Sequence, residues 1–213
     1  MARYGMVIDL SRCVGCSTCM AICKAEHCLP PGILWSRLLI KEEGKYPWVS
    51  KRIVPLLCNH CEDAACVEVC PSGATSKRED GIVTVDYDKC VGCGYCVVAC
   101  PYGARSFYRE EGSSFPGEGL TPYEKIGYLQ FQTGVVTKCN FCQDRVDLGL
   151  RRGMQPGVDP EATPACVNAC IAKARFFGDL DDPESEVSQL IRLKLGFQMR
   201  PEVGTNPSVY YLR

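Results

Sequence analysis

The chain has 213 residues, a length that suits one large domain or two small ones. Its 24 Lys and Arg residues are balanced by 25 Asp and Glu residues, which excludes the basic surplus of a nucleic-acid-binding protein, so no nucleic-acid partner is expected. No apolar run approaches the ~18 residues that a membrane-spanning helix needs, so no transmembrane segment is predicted.

The most unusual feature of the composition is the 17 cysteines, most of which form four sets along the chain. Sets one and three have the spacing C-x2-C-x2-C-x3-C, set two has C-x2-C-x4-C-x3-C, and set four is two pairs separated by a long gap. In chain order the sets are Cys13, Cys16, Cys19 and Cys23; Cys58, Cys61, Cys66 and Cys70; Cys90, Cys93, Cys96 and Cys100; and Cys139, Cys142, Cys166 and Cys170. Cys28 belongs to no set and is expected to be a buried, inert thiol.

Short strands and helices are predicted around the sets. Apolar runs at 4–8, 81–86 and 134–138 are typical of strands that precede sets one, three and four. A short helix is expected between the third and fourth cysteines of each compact set. Three related sequences, CPSGATS, CPYGARSF and CIAKARFF, begin at the last cysteines of sets two, three and four. The repeated unit is therefore a strand, a cysteine loop, a helix and a second strand.

The segments between the sets are predicted to be connectors. Strands are expected near 33–40 and 52–57, and exposed loops at 109–134 and 149–164.

After set four, a short surface helix is expected to have Asp182 as its N-cap and Pro183 at its first position. Val187, Leu190 and Ile191 would lie on one face of it. The final residues, PSVYYLR, resemble a strand.

The cysteine spacing allows three interpretations. Disulfides fit poorly, because cysteines two residues apart cannot easily bridge each other. Zinc usually takes two separated pairs of ligands, which sets two and four could imitate but sets one and three could not. The spacing C-x2-C-x2-C-x3-C-P is the bacterial ferredoxin pattern for [4Fe–4S], in which the fourth cysteine binds the other cluster of a pair. The sequence therefore predicts four [4Fe–4S] clusters.

The residues that follow the sets bear on how the sets pair. Pro71 and Pro101 follow sets two and three, whereas Lys24 and Ile171 follow sets one and four. This favours pairing of set two with set three, nested inside set one with set four, although sequential pairing remains open. The predicted fold is α+β, with two bacterial-ferredoxin-like modules nested in sequence, loop insertions and a short C-terminal helix. The predicted parts are an outer module at 1–57 plus 136–180, an inner module at 58–108, an insertion loop at 109–135, and a C-terminal helix and tail at 181–213.

Other candidate residues are few. His60 lies inside set two, where all four ligand places are already filled, so a structural role or a hydrogen bond to a cluster sulfur is expected. No nucleotide fingerprint or catalytic Ser/His/Asp arrangement is present, so no catalytic residues are predicted and the chain is not expected to be an enzyme by itself. Basic residues beside the sets would favour the reduced clusters: Arg12, Lys24, Lys89, Lys138, Arg145, Lys173 and Arg175.

The four sets, with CNHCEDAAC in set two, GDLDDPESEVSQLI after set four and RPEVGTNPSVYYL near the end, resemble a known family almost throughout the chain. The sequence is similar to the iron–sulfur (beta) subunits of the dimethyl sulfoxide reductase family, most of all those of polysulfide, thiosulfate and arsenate respiratory reductases. This resemblance implies a relay of electrons through four [4Fe–4S] clusters. It also implies a large catalytic subunit with a molybdenum or tungsten bis(pyranopterin guanine dinucleotide) cofactor and, in many complexes, a membrane quinone-reacting subunit.

The resemblance further implies which cysteines hold each cluster. The implied ligands are Cys13, Cys16, Cys19 and Cys170 for cluster 1; Cys139, Cys142, Cys166 and Cys23 for cluster 2; Cys58, Cys61, Cys66 and Cys100 for cluster 3; and Cys90, Cys93, Cys96 and Cys70 for cluster 4. The chain departs from the family pattern in the long gap before Cys166, in Ile171 where many relatives have Pro, and in the additional Cys28.

The cellular compartment and the type of complex stay open. The start of the sequence, MARYGMVIDLSRC, lacks the apolar segment of a secretory signal. This fits export as a folded partner of a signal-bearing subunit, and it fits a cytoplasmic complex equally well. The alternative functions are a freestanding polyferredoxin, the iron–sulfur subunit of a hydrogenase or formate dehydrogenase complex, and a zinc-stabilised scaffold.

Overall fold

Short strands and helices alternate along residues 2–110 and 112–213, the parts of the chain that the computed structural model describes. The strands are β1 (Tyr4–Asp9), β2 (Arg37–Lys45), β3 (Trp48–Leu56), β4 (Thr75–Lys77), β5 (Val83–Val85), β6 (Arg105–Tyr108), β7 (Val135–Lys138), β8 (Arg175–Asp179) and β9 (Val209–Leu212). The α-helices are α1 (Thr18–Glu26), α2 (Ala65–Glu68), α3 (Tyr95–Ala99), α4 (Pro122–Gly127), α5 (Gln143–Arg151), α6 (Ala165–Asn168) and α7 (Glu186–Leu193). Single turns of 3₁₀-helix lie at 128–130, 160–162 and 201–203.

Strand β1 is the centre of a three-stranded sheet with the order β8–β1–β9. Every residue of β1 is buried, which fits its sequence YGMVID because a central strand covered on both faces needs an almost continuous apolar run. The strand pairs antiparallel with β8 (Met6 opposite Phe177) and parallel with β9 (Met6 opposite Val209). The predicted first and last strands are thus confirmed, and the last one completes the sheet that the first one begins.

The other strands form three two-stranded sheets: β2 with β3, β4 with β5, and β6 with β7. The first of these is a long hairpin whose tip is exposed, with Tyr46 93% and Trp48 86% accessible. The prediction of strands near 33–40 and 52–57 had the right elements but the wrong lengths, because the polar residues between them continue the hairpin.

The helices that carry cysteines pack in two pairs, α1 with α6 and α2 with α3. Since α1 and α6 belong to sets one and four, and α2 and α3 to sets two and three, these two pairs of sets are spatial neighbours. Strands β4, β6 and β8 each begin five residues after the last cysteine of a set, which is where the related sequences CPSGATS, CPYGARSF and CIAKARFF align.

Two predicted loops contain helices. Helix α4 lies in the segment 109–134, where Thr121 and Glu124 form a capping box, and Tyr128 and Phe131 are buried. The loop predicted at 149–164 is wrong over its first residues, because α5 extends to Arg151.

The predicted N-cap of the last helix is also wrong. Helix α7 starts at Glu186, and Ser185 caps it by accepting from the amide N–H of Ser188. The Asp182 carboxylate instead accepts from the amide of Glu184 and closes a turn before the helix. The predicted apolar face is confirmed, since Val187 is fully buried and Leu190 and Ile191 pack beside it.

The main core lies beneath β1 and extends to the cysteine-bearing segments. Met6 and Ile8 of β1, Phe141, Phe177 and Tyr211 are all buried in it. No helix in the described residues is both long enough and apolar enough to cross a bilayer.

Candidate metal centres

The cysteine loops of sets one and three turn through left-handed backbone conformations. Gly15 (φ 69°) and Ser17 (φ 63°) lie in the first loop, and Gly92 (φ 66°) and Gly94 (φ 75°) are their counterparts in the third. A Cβ atom at Gly92 would come within 2.0 Å of the carbonyl oxygen of Gly134. This close approach, together with the positive φ, requires glycine at that position. Helices α1 and α3 begin directly after these turns, so the third cysteine of each set lies in the first helical turn.

Two cavities are each lined by four cysteines. The first group consists of Cys13, Cys16, Cys19 and Cys170, around a cavity that Leu38, Pro55 and Arg175 also line. The fourth group consists of Cys70, Cys90, Cys93 and Cys96, around a cavity that Thr75 and Val136 also line. Each group therefore combines three cysteines of one set with the last cysteine of another.

Two further groups are defined by thiols close enough to interact electrostatically. In the second group, Cys23 is near Cys139, Cys142 and Cys166. In the third group, Cys61 is near Cys58, Cys66 and Cys100. These memberships follow the same rule of three cysteines plus one, and they match the ligand sets that the family resemblance implies.

Burial differs strongly among the thiols. Burial raises the pKa of Cys139 and of Cys61 to about 12, and raises that of Cys23 further, with neighbouring thiols adding to it. Cys16 is exposed, and a hydrogen bond with the Thr18 hydroxyl lowers its pKa. The buried thiols are therefore protonated near pH 7 unless a cation replaces the proton, which is what metal binding does.

The state and arrangement of the thiols distinguish among the disulfide, zinc and iron–sulfur interpretations of the cysteines. All 17 are free thiols, so the disulfide interpretation is wrong. Among the described residues, no group of three or more Cys, His, Asp or Glu side chains is arranged to hold a single metal ion. Zinc needs its thiolates about 2.3 Å from one centre. Four thiols spread around a cavity fit a polynuclear cluster better than one ion.

Backbone amides donate to the last cysteine of three sets. Their donors lie four or five residues further along the chain, and the N···Sγ distances are 3.4 Å (Thr75 to Cys70), 3.5 Å (Ala104 to Cys100) and 3.3 Å (Ala174 to Cys170). N–H groups aimed at sulfur stabilise negative charge on a cluster. The repeated geometry explains the shared sequence after these cysteines, because the turn must return an amide to the sulfur.

Two histidines lie among the buried cysteines. The Nε2 atom of His27 is 3.2 Å from Cys142 Sγ, and its ring packs on Trp35 with 4.7 Å between centroids. Burial lowers the pKa of His27, so its imidazole is neutral near pH 7. The Nδ1 atom of His60 accepts the amide N–H of Val83 at 3.0 Å. The sequence points to His60 through its place inside set two but not to His27, whose sulfur partner is 115 residues away.

Three cations are buried beside the cysteines: Arg105, Lys138 and Arg175. Lys138 and Arg175 are among the basic residues expected from the sequence. Arg105 is not, although it occupies the same place in CPYGARSF as Arg175 does in CIAKARFF. The other expected basic residues are exposed or only half-buried: Arg12, Lys24, Lys89, Arg145 and Lys173.

Known proteins with similar sequences include subunits of several reductases. A family profile described as a 4Fe-4S dicluster domain matches residues 49–115. A selenate reductase subunit of Mesobacillus selenatarsenatis is 42% identical, over 99% of this chain and 72% of its own length. The arsenate respiratory reductase iron-sulfur subunit of Shewanella sp. is 41% identical, over 99% of this chain and 96% of its own. A tetrathionate reductase subunit of Salmonella typhimurium is 37% identical, over 99% of this chain and 72% of its own.

Proposed function

Because the chain belongs to the iron–sulfur electron-transfer (beta) subunits of the dimethyl sulfoxide reductase family of molybdenum and tungsten oxidoreductases, we propose that it relays electrons through four [4Fe–4S] clusters. When bound, such clusters accept and release single electrons. The role of the protein would be to hold the clusters at fixed positions, to keep water away from the interior clusters and to supply hydrogen bonds to the cluster sulfurs.

The proposed ligands are the four cysteine groups, one cluster to each. The observation that carries this assignment is the composition of the groups, since each contains four thiols drawn from two sets. The cysteines that line each of the two cavities are the four proposed ligands of one cluster. The fit is supported by a buried donor that has no acceptor among the described residues, Arg105 Nη2, on a side chain that lies near Cys66 and Cys96.

The proposed architecture is two nested ferredoxin-like modules. Packing of α1 on α6 and of α2 on α3 supports it, because a two-cluster ferredoxin brings together the helices of its two cysteine sets. Cysteines of neighbouring groups also approach each other: Cys166 is near Cys19, and Cys139 is near Cys58. These contacts support the order first, second, third and fourth group along the relay, with the exposed Cys16 and Cys93 at its two ends.

The proposed partners are a large catalytic subunit with a molybdenum or tungsten bis(pyranopterin guanine dinucleotide) cofactor at one end of the relay and a membrane quinone-reacting subunit or another redox partner at the other end. The reaction of the complex would be reduction of a small oxyanion or sulfur compound, since the similar proteins are named for selenate, arsenate and tetrathionate. An extracytoplasmic location through export with the catalytic subunit is proposed, with a cytoplasmic complex as the alternative.

Metal analysis of the purified complex tests the proposal. We expect about sixteen iron atoms per chain from four cubanes, with molybdenum or tungsten in the large partner. Zinc in place of iron, or iron for only one or two clusters, would contradict the four-cluster assignment. A chain that carries full iron but purifies as a monomer without a large partner would instead favour the freestanding polyferredoxin.

A further inference from the structure

Three buried cations lack a carboxylate partner within the described part of the chain. Arg105, Lys138 and Arg175 are 6%, 2% and 4% accessible. Among the described residues, none of them forms an ion pair with a carboxylate. Removing a charge from water without a counter-charge is very costly, so buried charges are almost always paired. The missing negative charge must therefore come from a source other than carboxylates.

Arg175 lies where the first and second groups meet. Its Nη1 atom is 3.5 Å from Cys166 Sγ in the second group, and Nη2 donates to Ser36 Oγ at 3.1 Å. Cys19 of the first group is its next electrostatic neighbour. The guanidinium thus faces sulfur on both sides of this junction.

Arg105 occupies the matching position between the third and fourth groups. It faces Cys66 and Cys58 of the third group and Cys96 of the fourth. Its Nη1 atom donates to Thr75 Oγ1 at 3.2 Å, and its buried Nη2 atom forms no hydrogen bond within the described part of the chain. A planar guanidinium that lies near thiols and keeps a buried N–H group unused is able to donate to a group that sits among those thiols.

Lys138 lies between the second and third groups. Its Nζ atom donates to the carbonyl oxygens of Cys139, at 2.7 Å, and of Val83, and Cys58 of the third group is close to it. Lys138 is also the cross-strand partner of Arg105. Like charges directly opposite each other destabilise a sheet, so negative charge nearby would stabilise this buried pair.

One buried cation therefore lies at each junction between successive groups. We propose that Arg175, Lys138 and Arg105 are positioning residues for electron transfer. Each of them is the counter-charge shared by two neighbouring clusters, and each raises the reduction potential of both clusters. This inference rests on the proposed function, because it requires clusters in all four groups.

The physical reason is the low dielectric of these sites. An oxidised [4Fe–4S] cluster with four thiolates carries a net charge of roughly −2, and each electron adds another negative charge. An electron that moves from one group to the next oxidises the first and reduces the second. A fixed cation between two neighbouring clusters stabilises the reduced state of each of them. It therefore favours reduction of both clusters and does not hold the electron on one of the two. Exposed cations act much less, because water and salt screen them.

Redox titration of the intact holoprotein, followed by electron paramagnetic resonance, tests this arrangement. Arg175→Gln should shift the potentials of the first and second clusters to more negative values, and Arg105→Gln those of the third and fourth. Lys138→Met should shift the second and third. Lys173→Gln is the matched control: Lys173 lies three residues after Cys170 but is exposed, and all four potentials should stay close to those of the wild type.

The outcomes separate this inference from the proposed function. Wild-type protein with too little iron for four clusters would contradict the proposed function itself. With full iron in the wild type and the variants, a shift of only one cluster, or of none, would overturn the shared counter-charge. If a neutral variant loses iron, the charge-conserving variants Arg175→Lys and Arg105→Lys provide the test. Both should keep the iron and leave all four reduction potentials near those of the wild type. A clear negative shift of the potentials in these variants would show that charge is not the determinant.

Discussion

The second and fourth cysteine groups show the same ligand plan in two different environments. All four cysteines of the second group are buried, whereas in the fourth group Cys93 is exposed and only Cys96 is buried. The buried rings of His27 and Phe141 lie beside the second group, while Val91 and Val98 beside the fourth are 69% and 88% accessible. One group is part of the hydrophobic core, and the other opens to the surface where a redox partner has to approach.

The pKa values of the thiols also differ between the second and fourth groups. Burial raises the pKa of Cys142 well above its ordinary value. Cys70 of the fourth group has a lowered pKa, because the N–H of Thr75 and the hydroxyl of Ser72 outweigh the effect of its partial burial. In the interior group the neutral thiol is therefore favoured until a metal replaces the proton, whereas Cys70 gives up its proton more readily than an ordinary cysteine does.

Removal of one ligand from each group is expected to give the largest effects. Cys142→Ala should lose or convert one cluster and also destabilise the fold, since the lost ligand lies in the core. Cys93→Ala should affect one cluster to a similar extent with little loss of thermal stability. Iron content and melting temperature measured together check this. Equal losses of melting temperature in the two variants would contradict the contrast between the groups.

The contribution of side-chain packing to stability should also differ clearly between the second and fourth groups. Phe141 is 1% accessible, stacks on His60 with 3.7 Å between centroids, and meets the edge of Phe177. Phe141→Ala should cost about 3–5 kcal/mol, which lowers the melting temperature on the order of 10 °C in a chain of this size. Tyr95, 62% accessible next to the fourth group, is the control.

Tyr95→Ala should change the free energy of unfolding by no more than about 0.5 kcal/mol, as exposed positions usually do. Scanning calorimetry of the holoproteins provides the measurement. A loss at Tyr95 as large as that at Phe141 would mean that the fourth group is packed as tightly as the second.

The elements that sequence predicts well are those specified by local patterns. Apolar runs identify β1 and β7, and the cysteine spacing identifies the short helices. Helix α4 is not predicted although its capping box, TPYE, is visible in the sequence, because the surrounding Gly, Ser and Glu outweigh it. The N-cap of α7 is misplaced because Asp182 and Ser185 carry the same local signal and only the fold decides between them.

The surroundings of the candidate sites are less predictable. Burial of Arg105, Lys138 and Arg175 depends on contacts between distant segments, and a basic residue beside a cysteine has the same sequence signature whether it is buried or exposed. The match between CPYGARSF and CIAKARFF could have identified Arg105 as the counterpart of Arg175. No local signal could have joined His27 to Cys142.

The His27 contact provides a finer test of the interior environment. His27→Leu removes a hydrogen bond to Cys142 Sγ, and loss of a donor to a ligand sulfur should lower the potential of the second cluster only. Trp35→Phe is the control, because it keeps an aromatic ring at this position and leaves His27 in place, while it removes the bond from Trp35 Nε1 to Thr137 and part of the indole. Redox titration of both variants should show a shift in the first and none in the second. A shift of several clusters would indicate a general change of packing instead.

The smallest expected effect concerns residues 112–131, a segment that contacts the end of α1 near the second group. Gln130 donates to the carbonyl of His27, and Glu124 accepts from the amides of Thr121 and Ser114. These amides lower the pKa of Glu124 to about 2. A carboxyl group with a lowered pKa contributes stability that is present above its ordinary value of 4.5 and is lost as pH falls toward 2.

Hydrogen exchange of residues 112–131 should therefore stay slow from pH 7 down to about 5, after correction for intrinsic exchange rates. Glu124→Gln should make exchange faster throughout this range, because a neutral amide binds the two N–H groups less strongly than a carboxylate does. Glu118→Gln, at an exposed position in the same segment, should behave as the wild type. Unchanged exchange in Glu124→Gln would mean that the contacts of Tyr128 and Phe131 with the core are sufficient to hold this segment in place.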